Sequence, residues 1–174
     1  MGKSKKVNVI NNILPNETNN KLLYELSNHH WFLAYDNQDN RLGKLFSPIH
    51  SGLSIITFNN GVNQFQSPLN IYGQIIFDII KDKLKINCKL ERLMWNMYFK
   101  NNEGELHIDQ DSNDYMSALY SIHTTDGGIE IENVLYPDVM GQVKVFNSNI
   151  KHKGIGPKKD NIRFNLNIVF KNGN

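Results

Sequence analysis

His107-Ile108-Asp109 sets an imidazole and a carboxylate two positions apart. Side chains alternate along a strand, so in extended chain both groups point to one face while Leu106 and Ile108 point to the other. A second imidazole, His152, opens a later strand, and Arg163 lies beyond a Gly-Pro-Lys-Lys-Asp-Asn turn, where hairpin geometry is expected to return it beside His152. Two imidazoles and one carboxylate on adjoining strands are the donors with which non-haem Fe(II) sites hold one face of the ion, leaving three positions open. An H-x-D pair arises easily by chance; the company of His152 and Arg163 is what makes this one informative.

The strand carrying Arg163 has two unlike faces. Arg163, Asn165 and Asn167 alternate with Phe164, Leu166, Ile168 and Phe170, so a polar face with a guanidinium backs onto a wholly apolar one. The apolar face should pack on helices, which turns the polar face into a barrel interior. An unpaired Arg there would be costly and should meet an anion, and its fork suits a carboxylate. Along Arg92 to Phe99 the same alternation puts Leu93, Trp95, Met97 and Phe99 on one side, and Met94, Asn96 and Tyr98 on the other. Asn96 and Tyr98 then point inward with His107.

These residues need a frame. Leu22, Leu23 and Leu26 fall at helical spacing within Asn16 to Asn28, with Thr18 as a candidate cap. Ser67-Pro68 starts a second helix running to Leu84, its core face read as Ile71, Ile75, Ile76, Ile79 and Ile80. Between them the spacing predicts strands at His30 to Tyr35 and Ser51 to Phe58, with a polar loop from Asp36 to Lys44. From Ile86 onward, strands are expected near 88–99, 104–109, 115–125, 128–134, 141–148, 150–155 and 162–170. The turns expected between them lie at Asn101-Asn102, Asp111 to Asp114, Asp126-Gly127-Gly128, Pro137 to Gly141 and Gly156 to Asn161. Two helices and then many short strands predict a mainly β, α+β fold: a double-stranded β-helix, or jelly roll, with N-terminal helices on its outside.

The chain has 174 residues, enough for one domain: a flexible lead over 1–15, helical support and substrate loops over 16–86, and the β-helix core over 87–171. A formal net charge of +2 gives no general grip on nucleic acid. The single cysteine, Cys88, rules out an internal disulfide and a thiolate zinc finger, and no apolar run reads as a signal peptide or membrane span. A cytoplasmic location is the expectation. His29, His30, His50 and His123 have no partner pattern, and the lysines around His152 (Lys151, Lys153, Lys158, Lys159) read first as a solvated surface. Gly2-Lys3-Ser4 lacks the upstream glycine of a phosphate loop, and Lys6 stands where myristoylation needs Ser or Thr.

The ordered set Tyr98, His107-Ile108-Asp109, Asp126-Gly127-Gly128, Gly141-Gln142-Val143-Lys144-Val145-Phe146, His152 and Arg163 resembles the 2-oxoglutarate and Fe(II)-dependent dioxygenases, particularly their prolyl-hydroxylase-like branch, over about Arg92 to Phe170. The resemblance implies that His107, Asp109 and His152 ligate Fe(II) and that Arg163 pairs with the distal carboxylate of 2-oxoglutarate. Tyr98 would bond the same group. Asn96 joins it in the cosubstrate pocket, and Asn165 stands where some relatives carry a Ser. With O2 as the further cosubstrate, the implied activity is hydroxylation of an unactivated C–H bond, releasing succinate and CO2. A peptidyl, prolyl-type substrate is the leading expectation. The alternatives are the same chemistry on a nucleobase or small metabolite, or a non-enzymatic jelly-roll binding protein.

Overall fold

The computed structural model describes residues 7–29, 31, 52–64 and 67–173. Apart from Trp31, the predicted strand from His30 to Tyr35 and loop from Asp36 to Lys44 lie outside them. In chain order the elements are β1 (Asn8–Ile10), α1 (Asn16–Asn28), β2 (Gly52–Asn59), β3 (Val62–Asn63), α2 (Pro68–Leu84), β4 (Cys88–Phe99), β5 (Tyr115–Ser121), β6 (Thr125–Ile131), β7 (Val134–Asp138), β8 (Val143–Asn147), β9 (His152–Ile155) and β10 (Ile162–Asn172). They form the expected jelly roll. A larger antiparallel sheet in the order β1-β8-β5-β10-β4-β2-β3 faces a smaller one in the order β7-β6-β9.

Three layers follow from the alternation. The outward side chains of the large sheet (Leu93, Trp95, Phe164, Leu166, Ile168, Phe170) share one core with Leu22 and Leu26 of α1 and Leu69, Ile76, Phe77 and Ile80 of α2. A smaller core between the sheets holds Leu119, Phe146, Ile129, Ile131 and Ile150. No described helix is long and apolar enough to cross a membrane.

Several local expectations change. Thr18 does not cap α1, because the helix begins at Asn16 behind Pro15, which leaves Thr18 inside the first turn. Ser67 does cap α2, its hydroxyl accepting the Leu69 N–H, with Pro68 next. The predicted face of α2 holds in part: Ile76 and Ile80 are buried and Ile79 packs against the core, but Ile71 is 64% and Ile75 46% exposed. Gly73 sits so close to β4 that an added Cβ would meet Leu93 at 2.8 Å, and this contact turns the Leu69, Ile76, Phe77 and Ile80 side inward.

Asp126-Gly127-Gly128 is not a turn but part of β6, with a register irregularity between Thr125 and Gly128. The glycines there answer a steric need, since a Cβ at Gly127 would meet the Ile155 carbonyl oxygen at 2.8 Å and one at Gly128 would strike the Tyr136 backbone. The true reversal is at Glu132 and Asn133, both at positive φ (50° and 65°), which ends β6 and starts β7 where a single strand over 128–134 was expected. Paired positive φ angles mark a type I′ hairpin, and this one lacks the glycine that flags it in a sequence. β7 then runs through Pro137 and Asp138, into the span read as a turn. Gly141, at φ 73°, needs its glycine freedom just ahead of β8. Part of the N-terminal lead is also structured, with β1 pairing β8.

The expected strand over 104–109 is only a pair of isolated bridges, Glu103 to Ile155 and His107 to His152. The segment spends one residue more than β9 between them, so no regular ladder forms.

Candidate active site

The His107 bridge sets the centre. His107 and His152 exchange backbone hydrogen bonds of 3.0 and 2.9 Å, which brings their rings to a centroid separation of 4.4 Å. Asp109, two positions on, turns to the same side, and one ligand atom from each of the three residues lies within 4.8 Å of the others. Leu106 and Ile108 point away and are exposed, as alternation requires.

Each imidazole is oriented from behind. Nδ1 of His107 is 2.8 Å from the Glu105 carbonyl oxygen, and Nδ1 of His152 is 2.8 Å from that of Ile150. A carbonyl only accepts, so Nδ1 carries the proton on both rings and each Nε2 keeps its lone pair for a Lewis acid. His152 Nε2 lies 3.5 Å from Asp109 Oδ2. Burial, then the neighbouring His152, push His107 below the usual imidazole range, which favours the neutral ligand form. Burial alone would raise the Asp109 carboxyl. Arg92, His152 and the Ser117 hydroxyl together outweigh it and hold the group well below the usual range. Arg92 Nη2 reaches Asp109 Oδ1 at 2.5 Å and Asn167 Oδ1 at 3.1 Å, while Ser117 Oγ donates to Asp109 Oδ2 at 2.6 Å. Two lone pairs and an ionised carboxylate on one side suit a divalent first-row ion.

The second half of the site rises from the large sheet. β10 pairs β4 so that Arg163 lies opposite Tyr98 and Asn165 opposite Asn96. The guanidinium stacks 4.9 Å over the Tyr98 ring. Burial raises the Tyr98 hydroxyl pKa, against the opposing pull of Arg163, so the phenol keeps its proton to donate. Asn96, Tyr98, His107, His152, Gly154, Arg163 and Asn167 line one narrow pocket of about 10 Å³, room for little more than a single water. Asn96 accepts from Ser54 (2.6 Å) and donates to Asn165 (3.1 Å), so Asn165 touches this group through Asn96. The hairpin expected to return Arg163 beside His152 is not formed: β9 pairs β6 in the small sheet and β10 pairs β4 and β5 in the large one. The two residues face each other across the barrel.

The anion expected at Arg163 is partly supplied from within. Asp138 takes Nε at 2.5 Å and Nη2 at 3.4 Å, while Nη1 is buried with no hydrogen-bond partner among the described residues. Lys144 Nζ donates to Ser121 Oγ at 2.8 Å and stands 3.5 Å from Asp138 Oδ1, which accepts from Ser121 at 2.8 Å. Burial pushes the Lys144 amine down, with Asp138 opposing.

Sequence reasoning missed Arg92, Asp138 and Lys144, though alternation could have found two of them. Arg92 is two positions before Met94 on the inward face of β4, and Lys144 lies between the outward Val143 and Val145. Asp138 was hidden by a span read as a turn. His123 has a structural task, its Nε2 accepting the Phe164 N–H at 3.3 Å. Lys153 is held by Glu103 (3.1 Å) and Glu130 (3.7 Å).

No family model matches the chain, and no curated protein matches it in sequence. Solved structures do match in fold, and those that share this jelly roll include 2-oxoglutarate/Fe(II) oxygenases at low sequence identity. A Pseudomonas putida prolyl-4-hydroxylase superposes with a TM-score of 0.64 at 14% identity, covering 98% of this chain and 95% of that one. The viral collagen prolyl hydroxylase from Paramecium Bursaria Chlorella virus-1, in complex with 2-oxoglutarate, gives 0.64 at 13%, covering 98% of each chain. A non-heme α-ketoglutarate-dependent carbocyclase from nogalamycin biosynthesis gives 0.67 at 9%, covering 96% and 79%.

Proposed function

We propose that this chain is a Fe(II)- and 2-oxoglutarate-dependent dioxygenase that hydroxylates a C–H bond, a peptidyl, prolyl-type position being the leading substrate. One observation carries the reading. Two imidazoles and a carboxylate converge within 4.8 Å, the imidazoles lining a pocket that Arg163 also lines, where its buried Nη1 has no hydrogen-bond partner among the described residues. Prolyl hydroxylases among the structural neighbours support the substrate class; the carbocyclase beside them shows that the fold alone does not set it.

In this reading His107, Asp109 and His152 hold Fe(II). Arg163 Nη1 and the Tyr98 hydroxyl receive the distal carboxylate of 2-oxoglutarate. When bound, the iron and 2-oxoglutarate supply O2 activation coupled to release of succinate and CO2. The chain does the rest. The Glu105 and Ile150 carbonyls fix the ring tautomers, and Arg92 and Ser117 keep Asp109 ionised and aimed. Asn96 and Asn165 brace each other beside the cosubstrate, and Leu119 and Ile129 line the cavity and restrict water.

The test is anaerobic titration with Fe(II) and 2-oxoglutarate, reading the visible charge-transfer band of the chelate. A band in the wild type that is absent in His152→Ala is expected. Its absence from the wild type at saturating ligand overturns the proposal. Succinate formation across peptide, nucleoside and metabolite panels then tests the substrate class.

A further inference from the structure

We infer that Lys144 and Asp138 are positioning residues that set the orientation and net charge of Arg163, leaving a cluster that one carboxylate completes. The inference rests on the cosubstrate reading above. Lys144 and Arg163 are fully buried and Asp138 is 1% exposed, so water does not settle their charges. Two cations share one carboxylate, which leaves one positive charge in excess. Among the described residues no second carboxylate forms an ion pair with either cation. A buried excess charge is expensive and favours an anionic ligand.

The geometry divides the work. Asp138 grips Arg163 along its Nε and Nη2 edge and leaves Nη1 as the nitrogen still to be bonded. Lys144 does not line the cavity; it acts through Ser121, whose hydroxyl it bonds and which in turn bonds Asp138. Alone, Asp138 would neutralise Arg163. With Lys144 drawing on the same carboxylate, the guanidinium keeps a net positive field toward the cavity. The occupant this selects presents a single carboxylate at that end.

Charge arithmetic supplies the test. Lys144→Met brings the cluster to zero, whereas Asp138→Asn with Lys144→Met restores one positive charge and leaves an amide oxygen to hold Arg163 Nε. The affinity of Mn(II)-loaded protein for 2-oxoglutarate is read by calorimetry, with Mn(II) affinity measured separately. Lys144→Met is expected to weaken 2-oxoglutarate about ten-fold or more at unchanged Mn(II) affinity, and the double variant to recover most of the loss. Wild-type affinity in Lys144→Met, or a double variant as weak as the single, overturns the inference; a packing role alone would give no recovery. Should Lys144→Met not fold, Asp138→Asn carries the test. Its doubled excess charge makes 2-oxoglutarate raise its Tm more than that of the wild type, and an equal or smaller rise overturns the idea. Wild-type protein that binds Mn(II) but not 2-oxoglutarate would sink the cosubstrate reading instead.

Discussion

Gly154→Ala isolates the contact on which the far wall of the site depends. Gly154 lies on β9, two residues after His152, and its backbone does not need a positive φ, so alanine brings no conformational strain. The consequence is steric. A Cβ there would lie 2.5 Å from Tyr98 Cζ and 2.7 Å from Cε1, against an ordinary contact of 3.4–4 Å. The ring must therefore retreat by about 1 Å, a small-to-large change of the kind that costs about 1–3 kcal/mol in a packed interior. Tyr98 is only 4% exposed and Arg163 lies on its face, so the retreat carries the guanidinium with it. The expected outcome is a loss of stability in that range by urea denaturation, with 2-oxoglutarate affinity down about 10- to 100-fold by calorimetry. Mn(II) affinity should hold, because His107, Asp109 and His152 do not move. A Gly154→Ala protein with wild-type stability and 2-oxoglutarate affinity would refute the packing argument. Equal losses in metal and cosubstrate binding would refute the separation of the two walls.

Arg92→Met should weaken Mn(II) binding about 10- to 100-fold in a direct titration, because Asp109 loses the partner that orients it. Ile76→Ala should cost about 2–5 kcal/mol in chemical denaturation, and Ile71→Ser within about 0.5 kcal/mol of nothing, since the first is fully buried and the second faces out. Burial lowers the His123 pKa, so below its ordinary value the unfolded chain binds more protons than the folded one, and stability falls as the solution is acidified through about pH 6.5. His123→Gln, which can still accept the Phe164 N–H, should flatten that slope in Tm measured from pH 7.5 to 5.5.

The jelly roll and the convergence of its key residues were legible wherever the alternation was clean. Leu93 to Phe99 and Phe164 to Phe170 carry clean apolar alternation, so β4, the start of β10 and the inward set of Asn96, Tyr98, Arg163, Asn165 and Asn167 can be read directly, while β10 runs on to Asn172, past the expected end at 170. Legibility failed where tertiary contact overrides local signal. Two of the five isoleucines of α2, Ile71 and Ile75, face outward, while Leu69, Phe77 and the close approach of Gly73 to Leu93 complete the inner face. Glu132-Asn133 makes a tight hairpin without glycine, which moved β7 out of view and Asp138 with it. The anion needed by Arg163 was foreseen, but an internal carboxylate from another sheet is a long-range pairing that spacing does not encode.

The segment bearing His107 and Asp109 is attached to β9 by separate bridges instead of a continuous ladder. Its other ties are Arg92 and Ser117 on the Asp109 carboxylate and the Ser148 carbonyl, which accepts from the Asp109 N–H, so its hold on the small sheet rests on discrete contacts. An ion shared by Asp109 and His152 would fasten the segment as a cross-link does. Closing a loop of roughly forty residues this way corresponds, by the chain-entropy arithmetic for cross-links, to about 4 kcal/mol. In the proposed reading iron would thus be mortar as well as reagent: amide exchange at His107 and His152 becomes a gauge of metal occupancy, and metal-starved chains would present a looser edge to proteases at the proposed metal site.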